Sequence, residues 1–398
     1  MAPTPEQTEK ETKRTVRVFA VASFLNDMGS DIIAPLWPIF VRDVLKANMS
    51  VLGFVDGFGD AVVSLSQAFS GYLSDRLRKR KVFVWTGYVF GALSRFGYAL
   101  SPSWHWLVPF KLIDRTGKMR GAPRDAIIAD ISTDANRGRH FGILRMMDNL
   151  GAFVGIVIAV AITWMLGTSE HVLRTLFLFT AIPTLAGAIL VLVAVKEAGQ
   201  AKTLFKGFSL RHLNRNVALA LGFSAVFSLG SFGVALLQTF AQQAGCPKIY
   251  LPVLYLVFTA VATATSIPFG KLADRIGRKM VLLASFILWA LVTLVFVGIA
   301  KAGLHFAALG LPFVLLGLHK GAWEPVKTAF IAELAPSEVR ASTLGAFQMV
   351  MGLCALPASF GAGWLADQYG IVMPLALSCA ITVAAIALLL LVHERRPA

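Results

Sequence analysis

The chain has 398 residues, 56% of them apolar and only 15% charged, and its mean hydropathy is +0.69. Such a composition excludes a soluble fold of this length and marks a polytopic membrane protein. The formal net charge of +15 would suit a nucleic-acid binder, but the basic residues fall mostly in short loops between apolar runs, the positive-inside pattern of membrane proteins; no nucleic-acid partner is expected.

Residues 1–15 read as a polar cytoplasmic tail. The apolar run that begins near Val16 lacks a small-residue cleavage site, so it reads as a retained first helix and not as a signal peptide. A spanning helix needs about 20 residues. Cutting the chain at charged or turn-rich breaks gives twelve candidates, near 16–45, 51–74, 82–101, 104–130, 141–166, 172–195, 216–244, 249–272, 280–300, 304–333, 341–366 and 371–392. Asn26, Asp27, Asp31, Pro35 and Pro38 interrupt the first. Cys246, Cys354 and Cys379 have no ligand-like spacing, so neither a disulfide nor a metal set is indicated and no cofactor is expected.

Loop charge alternates. One set holds Arg76, Arg78, Lys79, Arg80 and Lys81, then Arg137 and Arg139, Lys196 to Arg215, Arg275, Arg278 and Lys279, and Arg340; the other offers little beyond Lys46, Lys248 and Lys301. Both termini fall on the basic side and are therefore expected in the cytoplasm. The polar stretch 196–215 divides the chain into a bundle at 16–195 and a bundle at 216–392, with a short tail at 393–398. An internal repeat supports that division. GYLSDRLRKRK from Gly71 is echoed by GKLADRIGRKM from Gly270, and IADISTDANRGRHFG from Ile128 by IAELAPSEVRASTLG from Ile331. The fold class is thus an all-α membrane protein of twelve transmembrane helices in two six-helix tandem repeats, the parallel repeat that even-numbered halves produce.

The repeated loops resemble the motif GxLxDRxGRK of the major facilitator superfamily, and the likeness in helix count covers the whole chain. The second copy, with Gly270, Leu272, Asp274, Arg275, Gly277, Arg278 and Lys279, fits at every position, whereas Arg78 stands where the first copy should carry glycine. The resemblance implies a cytoplasmic gate in which Asp75 and Arg76 act with Asp130, and Asp274 and Arg275 with Glu333. Arg137 and Arg340 occupy matching positions, and Arg124 and Asp125, near the cytoplasmic end of their span, join the gate set. FLNDMGSDIIAPLWPIF at Phe24, DRTGKMRGAPRDAIIAD at Asp114 and RMMDNLG at Arg145 look like a bacterial permease subgroup with no assigned substrate. The fifth-helix motif of drug/proton antiporters survives only as Gly151 and Gly155, with Ile156 in place of its proline.

The fourth candidate span, 104–130, is unusual. It carries Lys111, Asp114, Arg115, Lys118, Arg120, Arg124 and Asp125. Five cations facing lipid would cost on the order of 12 kcal/mol, so these residues must face protein or water. Asp27 and Asp31, Asp56 and Asp60, and Asp114 and Lys118 are four apart and should each share a helix face; Arg145 and Asp148, three apart, should pair. Counted by depth at 1.5 Å per residue, Asp27, Asp60 and Asp114 lie about 13–16 Å from a span end, near the midplane where transporters of this kind bind solutes and ions. Across the first six spans, seven acids (Asp27, Asp31, Asp56, Asp60, Asp114, Asp125, Asp148) balance seven bases (Arg95, Lys111, Arg115, Lys118, Arg120, Arg124, Arg145). The second half offers Lys320, Glu324 and Lys327 beside His319, and Pro123 and Pro325 should break the matching fourth and tenth helices.

These residues point to a monomeric secondary transporter in the cytoplasmic (inner) membrane. Its partners would be lipid, protons and a small organic solute, anionic on this reading. Asp27, Asp31, Asp56 and Asp60 are the candidate proton carriers, and Asp114, Arg115, Lys118, Lys320 and Glu324 the candidate substrate contacts. A drug-efflux antiporter of the same fold is the alternative. An ATPase is disfavoured by the lack of a GxxxxGK[ST] loop, and so is an enzyme, because the histidines are scattered mostly near span ends or loops.

Overall fold

The computed structural model describes residues 5–77, 79–133, 136–195, 197, 215–334 and 340–393, and among them every regular element is helical. Helix α1 (Pro5–Ile33) takes in most of the expected tail, whose run of Glu, Gln, Lys and Arg favours helix and adds an i,i+4 pair between Glu9 and Lys13 at 2.6 Å. It stops two residues before Pro35, whose ring and missing N–H cannot continue it. Next come α2 (Met49–Leu77) and α3 (Arg80–Leu100). The charged fourth span is three pieces: α4 (Leu107–Thr116), a tight 3-10 turn over Gly117–Arg120, and α5 (Gly121–Ile131). Helices α6 (Arg137–Leu166) and α7 (Glu170–Ala194) complete the first half.

In the second half, α8 (Arg215–Gly230) and α9 (Val234–Gln243) form one interrupted span. They are followed by α10 (Leu251–Ile276), α11 (Arg278–Ala302), α12 (Gly310–Leu334), α13 (Arg340–Tyr369) and α14 (Val372–Leu390). Pro325 lies inside the continuous α12, so the expected break there does not occur, whereas the fourth span is interrupted three residues before Pro123. Nine helical stretches among the described residues are long and apolar enough to cross a membrane. The three expected spans outside that set are the first, third and fourth, where charge or interruption lowers the hydropathy. Large apolar side chains such as Leu100, Phe153, Met165, Phe179, Val193 and Ile267 are exposed, as suits helices whose surroundings are acyl chains.

Contacts group the chain into two units, Met1–Leu36 with Val62–Lys206, and Trp37–Ala61 with Gly207–Ala398. Helix α2 therefore begins in the second unit and ends in the first. In the first unit α1 lies against α6 and α7, and α3 against α7 and α4. Gly151 and Gly155 of α6 press on the backbone of α1 at Phe24 and Met28, where any side chain would collide. Phe19, Ala22, Val84, Tyr88, Ile128 and Leu144 fill the core between them. In the second unit α12 packs on α10 and α11, and α14 on α8 and α11. Its core is aromatic, with Phe227 stacked on Phe286 at 4.1 Å between centroids and Trp289 and Trp323 alongside. The expected linker lies outside the described residues except for Glu197 and Arg215.

Candidate functional site

Glycine creates the break in the fourth span. A β-carbon at Gly117 would lie 2.7 Å from Gly87 O, and one at Gly87 would lie 2.6 Å from Gly117 O, so α3 and the fourth span touch backbone to backbone there. The 3-10 turn over Gly117–Arg120 begins at that contact. Asp114 and Lys118, four apart, lie within electrostatic reach of one another but form no direct ion pair. Asp114 instead pairs with its neighbour Arg115 at 3.6 Å and accepts the Ser94 hydroxyl at 3.3 Å.

Arg95 is fully buried in the first unit. It donates to the carbonyls of Thr180 (2.7 Å) and Asn26 (3.0 Å) and to Ser30 Oγ (2.7 Å), clamping α3 to α1 and α7. Gly29 leaves the space that the guanidinium fills. Arg120 donates to Gly117 O at 2.9 Å, lies over the Tyr88 ring at 4.8 Å, and reaches Asp27 at 4.0 Å; Asp27 also accepts Asn26 Nδ2 at 2.7 Å. Arg124 donates to Ser23 Oγ (2.6 Å), Asp125 (3.0 Å) and Asp148 (3.4 Å), tying α5 to α1 and α6. Arg145 meets Asp148 at 3.8 Å, as the spacing predicts. Lys111 is buried.

Two members of the set stand apart. Asp31 and Lys118 are half-buried, and neither side chain makes a hydrogen bond or ion pair with another described residue. Asp31 nonetheless lies within electrostatic reach of Asp27, Lys118, Arg95 and Arg115. The polar residues that complete this network, Ser23, Asn26, Ser30, Tyr88 and Thr180, carry no charge and so gave no signal in a reading based on ionisable groups.

In the second unit, Asp56 accepts the Trp37 indole N–H at 2.9 Å. On α12, Glu324 is bridged by Lys320 at 2.7 Å and Lys327 at 2.8 Å, and Lys327 also lies over the Trp323 ring. Asp60, exposed on α2, is within electrostatic reach of Lys320. His319 is buried against Ser285 and belongs to the aromatic core. The two units divide the charges unequally. Asp56 and Asp60 group with the second, leaving five acids (Asp27, Asp31, Asp114, Asp125, Asp148) against seven bases in the first.

At the repeated loops the acids keep their expected places but meet a different base. Asp130 pairs with Arg80 rather than Arg76, and Glu333 with Arg278 at 2.5 Å rather than with Arg275. Arg80 and Arg278 are each the first residue of their helix, α3 and α11, whereas Arg76 and Arg275 are exposed at the ends of α2 and α10. The ungapped repeat hides this equivalence. Gly277 turns the second loop alone, at φ 96°, which a side chain would strain, while two residues separate Leu77 from Arg80 in the first. Each third helix is also tied to the end of its sixth. Glu197 accepts the backbone N–H groups of Arg80 (2.6 Å) and Lys81 (3.0 Å), and Lys279 donates to the carbonyls of Leu390 (2.8 Å) and Val392 (2.7 Å). Arg137 is exposed at the start of α6 and Arg340 begins α13, while the side chains of Asp75 and Arg340 lie outside the described residues.

Comparison with known proteins covers most of the chain. The sequence profile of the Major Facilitator Superfamily matches residues 19–263 and 218–398. The uncharacterized MFS-type transporter MJ1317 of Methanocaldococcus jannaschii is 31% identical over 366 residues, 90% of each chain. The multidrug resistance protein MdtH of Yersinia enterocolitica is 22% identical, over 85% of this chain and 84% of its own. Among solved structures, a bacterial homolog of the human lysosomal transporter Spinster superposes with a TM-score of 0.78 at 12% identity, over 98% of both chains. A D-xylose-proton symporter superposes with a TM-score of 0.75 at 16% identity, over 96% of this chain and 98% of its own. The chain is a membrane transporter, not an enzyme, and it belongs to the Major Facilitator Superfamily.

Proposed function

We propose that this transporter carries a small organic anion across the cytoplasmic membrane by alternating access, coupled to protons. The observation that carries the reading is the pair Asp31 and Lys118, which have no direct partner among the described residues of a network whose other charges are mostly matched. A lysine near the midplane whose ammonium makes no direct ion pair with a described residue, although Asp27, Asp31 and Asp114 lie within electrostatic reach, is open to an anionic solute, and the excess of bases in the first unit supports that sign. Asp31 can take up a proton without breaking an existing bond; Asp27, Asp56 and Asp60 are secondary carriers. Within the first unit Asp114 and Arg115 orient the site, and within the second unit, taken by itself, Lys320 and Glu324 are candidate solute contacts. With the basic loops in the cytoplasm, Asp130 with Arg80 and Glu333 with Arg278 form the inner gate, beside the motif residues Asp75, Arg76, Asp274 and Arg275, and the protein works as a monomer.

The test begins with a thermal-shift screen of the purified protein against mono- and dicarboxylates, sugar phosphates, amino acids and organic cations, at one acidic and one alkaline pH. Anions are expected to stabilise the wild type but not Lys118→Ala. In proteoliposomes, flux of the stabilising anion should follow an imposed proton gradient, and Asp31→Asn should lose that response while keeping solute exchange. Stabilisation by cations alone would overturn the anion assignment and favour the drug-efflux reading, which has the likeness to MdtH on its side and Ile156 against it.

A further inference from the structure

The loop motif has a third copy, at the end of α13. That helix closes on Gly363-Trp364-Leu365-Ala366-Asp367-Gln368-Tyr369-Gly370, and α10 closes on Gly270-Lys271-Leu272-Ala273-Asp274-Arg275-Ile276-Gly277. Glycine, leucine, alanine, aspartate and the final glycine coincide. In both, the aspartate stands two residues before the last helical residue, and the glycine beyond the helix end has positive φ, 77° at Gly370 and 96° at Gly277. Asp75 holds the same place in α2, which ends at Leu77. Each six-helix half of this family nests two inverted three-helix repeats, which makes the eighth and eleventh helices equivalents running in opposite directions. The two copies therefore face opposite sides of the membrane. The third lacks the bases of the second, with Gln368, Ile371 and Val372 where Arg275, Arg278 and Lys279 stand, as suits the face poor in positive charge.

Asp367 is engaged. Its carboxylate accepts the backbone N–H of Met49 at 3.0 Å and, at the other oxygen, the N–H of Ser50 at 2.7 Å and the Ser50 hydroxyl at 2.5 Å. Met49 and Ser50 open α2, so the carboxylate satisfies two N–H groups that have no partner within the helix and meets the positive end of its dipole. Below this cap the two helices run backbone to backbone. Gly363 presses on Met49 and Ser50, Gly53 on Ser359, and a β-carbon at Gly57 would lie 2.7 Å from both Ala355 O and Leu356 Cα. A second tie lies alongside, where Asp43 pairs with Lys248 at 2.8 Å and accepts Gln242 Nε2 at 3.4 Å. By contrast Asp274 is exposed, and its carboxylate bonds to no other described residue.

We infer that residues 363–370 are an outer latch, in which Asp367 caps α2 to hold the outer face shut and must let go for the transport site to open outward. The assignment of this face as outer rests on the cytoplasmic placement of the basic loops proposed above, and the latch itself does not depend on which solute is carried. Ser359 is buried beneath Gly53, so a cysteine there reports opening. In a chain otherwise freed of cysteine, Ser359→Cys is labelled with a membrane-impermeant maleimide applied from outside, with and without Asp367→Asn. Labelling is expected to quicken at least about tenfold, the shift in equilibrium that loss of a charge-assisted hydrogen bond produces. An unchanged rate overturns the latch. The exposed Lys301→Cys, labelled in parallel, separates the two readings, since its failure to react from outside would refute the orientation and not the latch. Should Asp367→Asn fail to accumulate, Ser50→Cys with Asp367→Cys carries the test. On mild oxidation these two should cross-link and keep Ser359→Cys unreactive, and either no cross-link or unslowed labelling overturns the proposal.

Discussion

Arg95 shows how far charge alone misleads about a side chain. Counted by sign it belongs to a network of ion pairs, yet every hydrogen bond that the structure gives it goes to a neutral oxygen, two of them helix carbonyls. Its role is to hold three helices in register. Replacing it with methionine removes those bonds and is expected to lower stability by about 3 kcal/mol, read as a fall in the thermal unfolding midpoint in detergent; an unchanged midpoint would refute the clamp. Glu333 makes the opposite case. Its partner Arg278 is close, but both side chains are about 30% exposed, so water screens the pair. A double-mutant cycle on Arg278→Gln and Glu333→Gln should give a coupling below about 1 kcal/mol, and the cycle with Arg275→Gln should give none. Coupling confined to Arg275 would restore the pairing that the motif suggests.

Two helical interruptions account for most of what spacing missed. The i,i+4 rule that placed Asp114 beside Lys118 assumes 3.6 residues per turn throughout, and across the 3-10 turn at Gly117 the two stay within electrostatic reach without a direct ion pair. A glycine inside an apolar pattern was visible, but the facing Gly87, which makes the contact tight, was not recognisable without the fold. Likewise Gly277 was legible as a motif residue, while the extra residue of the first loop moved the pairing base from one repeat position to the next. Both glycines should resist substitution for different reasons. Gly277→Ala forces a side chain into a left-handed backbone, at roughly 1–2 kcal/mol. Gly117→Ala pushes α3 and the fourth span apart, at roughly 1–3 kcal/mol. Thermal unfolding measures both, and wild-type stability in either variant would contradict the corresponding contact.

At the scale of the whole molecule, hydropathy and the loop repeat were sufficient for the fold class, because lipid leaves few choices for a backbone that must satisfy its own polar groups. The grouping of residues 37–61 with the second half was not legible, since it depends on which glycines face which helix. It has a measurable consequence. Chains ending at Lys206 and beginning at Gly207, expressed together, should associate through this segment and copurify, and leucine at both Gly53 and Gly57 should abolish the association. Copurification of the leucine variant would show that the segment is not what joins them.

Helix α2 is continuous from Met49 to Leu77 and contains no proline, although its two ends belong to different units. A rod anchored at both ends transmits displacement; it cannot absorb it as a loop would. Any shift felt at the loop motif that follows Leu77 must reach the Asp367 cap as a pull on the first turn, either flexing the glycine-rich stretch from Gly53 to Gly59 or extracting the turn from the carboxylate. Elasticity in that one stretch would thus set how tightly the two faces are coupled, so an alanine that stiffens Gly59 should alter the timing of opening without touching a single ionisable group.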